Sequence, residues 1–129
     1  MDLSAFKAYD IRGRVPGQLN DEFAERLGRA FVEVTGARRV VVGADIRLSS
    51  PALVAALTRG LLAAGADVHD IGLCGTEQVY FATFHYGMDG GIMVTASHNP
   101  VDYNGMKLVG RNSVPLSSDT GLLDIRKRM

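Results

Sequence analysis

The sequence predicts an α/β domain of three layers, α/β/α, built on a mixed four-stranded sheet whose last strand is antiparallel. Apolar runs without alternation, such as residues 40–42 (Val-Val-Val), are typical of strands covered on both faces. Segments of helical periodicity separate the first three runs, which favours parallel strands joined by helices. Only a short loop separates the last two runs, 91–95 and 104–109, so the final strand should return antiparallel.

Residues with known capping preferences mark the predicted helix ends. Asn20 is a good N-cap for the first helix, and Gly36 is a good terminator. Ser50 and Pro51 begin the second helix, and Thr76 can cap the third. The predicted helices cover residues 20–35, 50–64, 76–86 and 118–129, and the predicted strands cover residues 38–42, 67–71, 91–95 and 104–109.

The segment before the first helix is less regular. Residues 5–14 predict a short extended piece followed by a loop, because Tyr9 and Ile11 alternate with polar neighbours before a glycine. One interpretation is a segment that faces a ligand. The other is a solvated loop that contains an ion pair between Asp10 and an arginine.

Several aromatic and histidine side chains are interpreted as structural. The aromatic residues of the third predicted helix, Tyr80, Phe81 and Phe84, are expected in the core. His69 and His85 have no metal-ligand spacing to each other or to the cysteine, so we expect them to be structural or solvated.

Composition limits the classes of function. Fourteen basic and fourteen acidic residues give a net charge of zero, which argues against nucleic-acid or anionic-membrane partners. The single cysteine, Cys74, excludes an intrachain disulfide and favours a reducing, cytoplasmic setting; we expect it at a loop or core edge. No apolar run approaches the roughly 18 residues of a membrane span.

At 129 residues, the chain is expected to form one domain, residues 1–129.

The predicted topology gathers three loops at one edge of the sheet. Right-handed crossovers place loops 43–49, 72–76 and 96–103 beyond the carboxyl ends of the parallel strands. Open α/β sheets bind their ligands at this edge. The functional site is therefore expected there.

The most distinctive of these loops presents a serine. Ser97 lies within residues 95–100 (Thr-Ala-Ser-His-Asn-Pro), directly after a buried strand, a position that suits covalent catalysis. A serine hydrolase is disfavoured, because no G-x-S-x-G elbow is present and the adjacent His98 would point away on an extended backbone. A serine that carries a phosphoryl group is more attractive, since Lys107 and nearby arginines could hold its charge. A plain turn hydroxyl remains the alternative.

Three separated motifs occur in order along the chain. They are residues 6–13 (Phe-Lys-Ala-Tyr-Asp-Ile-Arg-Gly), residues 43–49 (Gly-Ala-Asp-Ile-Arg-Leu-Ser) and residues 95–107. Together they resemble the N-terminal segment, the second loop and the active-site loop of the α-D-phosphohexomutase family. Residues 75–77 and 115–121 are most similar to its bacterial phosphomannomutases. The resemblance covers essentially the whole chain.

This resemblance implies a reaction and roles for particular residues. Family members interconvert hexose 6-phosphates and 1-phosphates through a hexose 1,6-bisphosphate, which also activates them, and the matching loop serine, Ser97, carries the phosphoryl group. Arg12 and Lys107 match positions beside the phosphoserine, with Lys107 or His98 as candidates for proton transfer. Tyr9 matches a position near the phosphosugar substrate. A magnesium ion (Mg²⁺) would be bound by the Ser97 phosphate and three aspartates.

The resemblance also implies that other parts are needed. The family's Asp-Gly-Asp-x-Asp metal loop, its sugar-reading loop and its phosphate clamp have no counterpart in these residues. The chain is therefore expected to be the first domain of a larger enzyme, with the remaining domains as partners. Asn104 is expected to bind substrate or, with Gly105, to shape the loop, and Asp45 and Arg47 are expected to support the loop edge. The alternative is a folded module that is inactive on its own.

Overall fold

Helices and strands alternate along the chain, and the computed structural model describes residues 1–129. The strands are β1 (Ile11–Arg14), β2 (Arg39–Ala44), β3 (Asp67–Leu73), β4 (Gly90–Val94) and β5 (Tyr103–Val109). The helices are α1 (Asp21–Thr35), α2 (Ser50–Ala63), α3 (Thr76–His85) and α4 (Leu122–Arg128), with one 3-10 turn at Arg111–Ser113.

The five strands form one mixed sheet in the order β1-β5-β4-β2-β3. Strands β2, β3 and β4 are parallel, and β5 is antiparallel to both of its neighbours. The predicted antiparallel return of β5 is confirmed, but the predicted number of four strands is wrong. The fifth is β1, in which Ile11 lies opposite Met106 and Arg12 lies opposite Gly105. Ile11 is the only apolar side chain in β1, so the sequence predicted an extended piece at this place but not a strand of the sheet.

Helices cover both faces of this sheet, as the three-layer prediction requires. Val40 and Val42 point into the larger core with α1, α2 and α4, whereas Val41 points into a smaller core with Val79 and Ala82 of α3. The uninterrupted valines of β2 are therefore explained by a strand with two buried faces. None of the four helices has the length and apolar character to cross a membrane.

The ends of the helices follow the predicted signals with two exceptions. Asn20 Oδ1 accepts a hydrogen bond from Phe23 N (2.9 Å), and Gly36 ends α1 in the left-handed region at φ 70°. The N-cap of α3 is Gly75 rather than Thr76. Helix α4 starts later than predicted, because residues 117–121 form a turn closed by hydrogen bonds to the side chains of Ser117 and Thr120.

The aromatic residues of α3 contradict the prediction that they lie in the core. Phe81 is 61% exposed and Phe84 is 64% exposed, while Tyr80 is half-buried. Helix α3 instead turns its smaller residues, Val79, Ala82 and Thr83, toward the sheet. The aromatic composition of the segment does not show which residues face inward, because that depends on the rotation of the helix about its axis.

Two glycines allow close approach of α1 and α2. A Cβ atom on Gly28 would lie 2.5 Å from the carbonyl oxygen of Leu57. A Cβ atom on Gly60 would overlap the carbonyl oxygen of Glu25. The backbones of the two helices therefore touch at a point where no side chain fits.

We expect Gly60→Ala to lower the free energy of unfolding by about 1–3 kcal/mol, because overpacking forces the helices apart. Urea denaturation followed by circular dichroism measures this change. Gly17→Ala is the matched control, since a Cβ atom there meets nothing within 4 Å. Its stability should stay within about 1 kcal/mol of the unsubstituted chain, on the stabilising side. Equal stability of the two variants would contradict the proposed close contact.

Candidate active site

The turn between β4 and β5 presents Ser97 on the surface in an unusual backbone conformation. Ser97 is exposed and has φ 53°, in the left-handed region that residues with a Cβ atom rarely adopt. This conformation costs about 1–2 kcal/mol for an L-residue. The surrounding residues must therefore hold it in place.

A single carboxylate fixes the backbone on the N-terminal side of Ser97. Asp45 Oδ2 accepts hydrogen bonds from Thr95 Oγ1 (2.9 Å) and Ala96 N (3.1 Å). Thr95 Oγ1 in turn accepts a hydrogen bond from Ser97 N (3.0 Å). The chain of bonds Asp45–Thr95–Ser97 thus connects the end of β2 to the exposed serine.

Arg47 fixes the C-terminal side of the same loop. Its Nη1 donates to the carbonyl oxygen of Pro100 (2.6 Å), and its Nη2 donates to the carbonyl oxygen of Asn99. The backbone N–H of Arg47 donates to Asp45 Oδ1 (3.1 Å). Loops 43–49 and 96–103 therefore meet as the topology predicts, and loop 72–76 joins them through Cys74 N, which donates to Ala44 O (3.0 Å).

The structure places Asn104 under the loop rather than toward solvent. Its side chain is fully buried, and Nδ2 donates to Ser49 Oγ (2.8 Å) and Ser50 Oγ (3.1 Å). Its Oδ1 accepts a hydrogen bond from Gly105 N (2.8 Å). Because this amide is fully buried and bonded within the protein, we propose that Asn104 takes the second of its two expected roles and supports the loop.

The charge on Asp45 is favoured by these donors. Partial burial raises the pKa of Asp45, but hydrogen bonds from Arg47 N, Ser50 Oγ, Thr95 Oγ1 and Ala96 N outweigh it, and the pKa lies below its ordinary value of 3.8. The carboxylate is therefore ionised near neutral pH, and its four donors leave it little capacity for any other ligand.

Two of the predicted basic residues come together on the sheet beside this loop. Asp10 Oδ1 lies 3.0 Å from Arg12 Nε, and Asp10 Oδ2 lies 3.1 Å from Lys107 Nζ. Arg12 lies opposite Gly105, whose carbonyl oxygen accepts the hydrogen bond of Thr95 N (2.9 Å). Arg12 therefore lies in the row of the sheet that is level with Thr95, two residues before Ser97.

Sequence reasoning found both cations of this cluster but missed the role of Asp10 as a common partner. The sequence indicated only that Asp10 belongs to a segment that either faces a ligand or forms a solvated loop with an Asp–Arg pair. A separation of two residues along an extended segment is only a weak signal for an ion pair between Asp10 and Arg12. No local signal links either residue to Lys107, which lies 97 positions from Asp10. Only the pairing of β1 with β5 brings these side chains together.

Tyr9 and His98 lie outside these networks. Tyr9 is 81% exposed, in the turn before β1, and His98 is exposed next to Ser97. Neither side chain makes a hydrogen bond or an ion pair within the protein. Both side chains are accessible to a ligand.

The other reactive side chains are held differently. Burial raises the pKa of the Cys74 thiol, whose Sγ lies 4.0 Å from Met93 Sδ, so the thiol stays protonated. His69 is exposed, and His85 stacks on Phe81 with ring centroids 4.8 Å apart.

A magnesium site cannot be assembled from this chain alone. No group of three or more His, Cys, Asp or Glu side chains is placed to hold a metal ion. Asp45 is saturated with donors, and Asp10 is engaged by two cations.

The fold and the loop together define a class of protein: a three-layer α/β/α domain that displays a conformationally fixed serine beside paired cations at the edge of its sheet. The chain belongs to the phosphoglucomutase/phosphomannomutase family, whose alpha/beta/alpha domain I matches residues 3–129. It is 60% identical over 125 residues to a phosphomannomutase of Escherichia coli and 60% identical to one of Klebsiella pneumoniae, with 97% of this chain covered in each case.

Solved structures agree with this assignment. The crystal structure of a phosphoglucomutase/phosphomannomutase family protein from Burkholderia thailandensis superimposes with a TM-score of 0.88 at 44% identity. The match covers 99% of this chain and 30% of that one. The chain spans 27% of the E. coli relative and 80% of the K. pneumoniae relative.

We expect Asp45→Asn to lower the free energy of unfolding by about 1–3 kcal/mol at neutral pH, because an amide leaves donors of the loop unsatisfied. The pKa of Asp45 is lower in the folded chain, so its stabilisation is complete above the unfolded value near 3.8 and is lost as the pH falls through the folded value. The difference in free energy of unfolding between the unsubstituted chain and Asp45→Asn should therefore become smaller in acid.

Urea denaturation across the acid range measures this difference. Asp119→Asn is the control, because its side chain is exposed and accepts no hydrogen bond. The free energy of unfolding of Asp119→Asn should be close to that of the unsubstituted chain at every pH. A difference for Asp45→Asn that stays constant into acid would contradict the role of the carboxylate charge.

Proposed function

We propose that this chain is the phosphoserine-bearing domain of a phosphomannomutase that interconverts mannose 6-phosphate and mannose 1-phosphate, with glucose phosphates as a second substrate pair. The observation that carries the proposal is the exposed hydroxyl of Ser97, held at φ 53° through Thr95 and Asp45. The names and 60% identity of the relatives support the substrate class.

In the proposed reaction, Ser97 carries the phosphoryl group in the active form. A bond forms from phosphorus to a hydroxyl oxygen of the sugar monophosphate while the bond from phosphorus to Ser97 Oγ breaks. The sugar hydroxyl gives up its proton, and Ser97 Oγ gains one. The resulting hexose 1,6-bisphosphate turns round and returns its other phosphoryl group to Ser97, so that trace bisphosphate also activates unloaded enzyme.

The charged residues of the domain have separate roles in this proposal. Arg12 and Lys107 stabilise the charge of the transferring group. The Nζ of Lys107 already donates a hydrogen bond to Asp10 Oδ2, so His98, exposed beside Ser97, is the better candidate to carry the proton. Tyr9 is exposed in the turn before β1 and is proposed to contact the sugar.

The remainder of the proposed enzyme supplies what this chain lacks. Mg²⁺ would be held by the phosphate of Ser97 together with aspartates from the other domains, and when bound it would neutralise charge on the phosphoryl group. The phosphosugar would bind between those domains and this one. The composition and the single cysteine, Cys74, support a cytoplasmic setting.

An alternative applies to the 129 residues by themselves. As an isolated chain they would form a folded but catalytically inactive module, because the aspartates here that could bind a metal are already engaged. Enzyme-like interconversion of the two mannose phosphates by the isolated chain would contradict this alternative.

We expect Ser97→Ala to abolish mutase turnover in the full-length enzyme, with at least a thousandfold loss of kcat, because the phosphoryl carrier is removed. The assay supplies mannose 1-phosphate with a trace of hexose 1,6-bisphosphate and Mg²⁺. Intact and peptide mass spectrometry should find about 80 Da of added mass on the Ser97 peptide of the unsubstituted enzyme, the mass of a phosphoryl group.

Ser118→Ala is the control, because Ser118 is an exposed loop serine whose hydroxyl makes no hydrogen bond in the protein. It should keep full turnover and leave the phosphate on Ser97. Retained turnover in Ser97→Ala, or phosphate on a different residue, would overturn the proposed function.

A further inference from the structure

Asp10 joins the two basic residues of the candidate site, and its arrangement suggests more than an ion pair. We propose that Asp10 is a positioning residue that holds Arg12 and Lys107 together, with their charges facing the phosphoryl group of Ser97. This inference depends on the proposed phosphoryl transfer at Ser97 and deepens it.

The carboxylate contributes one oxygen to each cation. Oδ1 lies 3.0 Å from Arg12 Nε, and Oδ2 lies 3.1 Å from Lys107 Nζ. Because the two oxygens belong to one rigid group, the positions of the two cations are linked to each other. A shift of either side chain would break a charge-assisted hydrogen bond.

Burial shows which side of the cluster is open. The Asp10 side chain is 12% exposed, whereas Lys107 is 34% and Arg12 is 47% exposed. The carboxylate therefore lies on the protein side, and the cations keep accessible surface. An incoming anion can reach the cations without displacing Asp10.

The backbone that bears the carboxylate is itself fixed. The carbonyl oxygen of Asp10 accepts a hydrogen bond from Lys7 N (2.8 Å), and Arg12 N donates to Ala5 O (2.9 Å). Ile11, between them, is fully buried and paired with Phe6. Asp10 is thus a firm support for the long, flexible side chains of Arg12 and Lys107.

The charge balance of the cluster favours an anionic ligand. Two cations placed side by side repel each other, and the shared carboxylate offsets that repulsion. One positive charge remains in excess, which suits a phosphoryl group. Because Asp10 already orders the side chains of Arg12 and Lys107 before the ligand arrives, these side chains lose less conformational entropy when the reactive arrangement forms.

The test is Asp10→Asn in the full-length enzyme, assayed with mannose 1-phosphate, hexose 1,6-bisphosphate and Mg²⁺. We expect kcat to fall about 10- to 100-fold, because the cations are no longer oriented for transfer. The KM should stay constant or fall, because an extra unit of positive charge attracts the substrate phosphate. Asp10→Glu, which restores the carboxylate, should recover part of the lost kcat.

Asp89→Asn is the matched control. Asp89 is 15% exposed in its side chain, pairs with Arg111 at 3.2 Å, and accepts hydrogen bonds from the backbone of Arg38 and Arg39. It lies at the end of β4 opposite to the serine loop. Asp89→Asn should lower the free energy of unfolding about as much as Asp10→Asn does, but it should leave kcat unchanged.

The outcomes separate this inference from the proposed function. An unchanged kcat in Asp10→Asn, or a raised KM with constant kcat, would overturn the positioning role while Ser97-dependent turnover still stands. An equal loss of kcat in Asp89→Asn would also overturn it, since the effect would then follow stability. An unsubstituted enzyme without mutase turnover would overturn the proposed function and this inference with it.

Discussion

The carboxylate of Asp45 is the interaction on which the geometry of the site depends. It accepts four hydrogen bonds that come from the start of α2, from its own loop and from the end of β4. Two segments that are distant along the chain, residues 45–50 and residues 95–96, therefore converge on one charged group at the carboxyl edge of the sheet. Through Thr95, this group also determines the backbone position of Ser97 and offsets the cost of its left-handed conformation.

Local signals in the sequence were sufficient for most of the fold. Asn20 and Gly36 delimit α1 because capping depends on a few adjacent residues, and residues 40–42 identify a strand with two buried faces. The strand β1 was missed because its identity comes from pairing with β5, more than ninety residues away along the chain. The exposed Phe81 was misplaced because aromatic composition does not reveal which side of a helix faces the sheet.

The same distinction explains what could be predicted of the site. Ser97, Arg12 and Lys107 could be predicted as candidates because short motifs carry them. The burial of Asn104 and the shared position of Asp10 were not found, because both depend on contacts between distant segments. These supporting residues have ordinary side chains in ordinary local surroundings, and only the assembled sheet gives them a role.

The position of β1 makes the basic cluster depend on one short backbone segment. Arg12 lies on this edge strand and Asp10 immediately precedes it, so a single segment carries both the guanidinium and the carboxylate with which Lys107 pairs. The bridge between Phe6 and Ile11 and the hydrogen bond from Arg12 N to Ala5 O tie this segment to residues 5 and 6. A change in the packing of residues 5 and 6 would therefore move Asp10 and Arg12 together, whereas Lys107 belongs to the neighbouring strand β5.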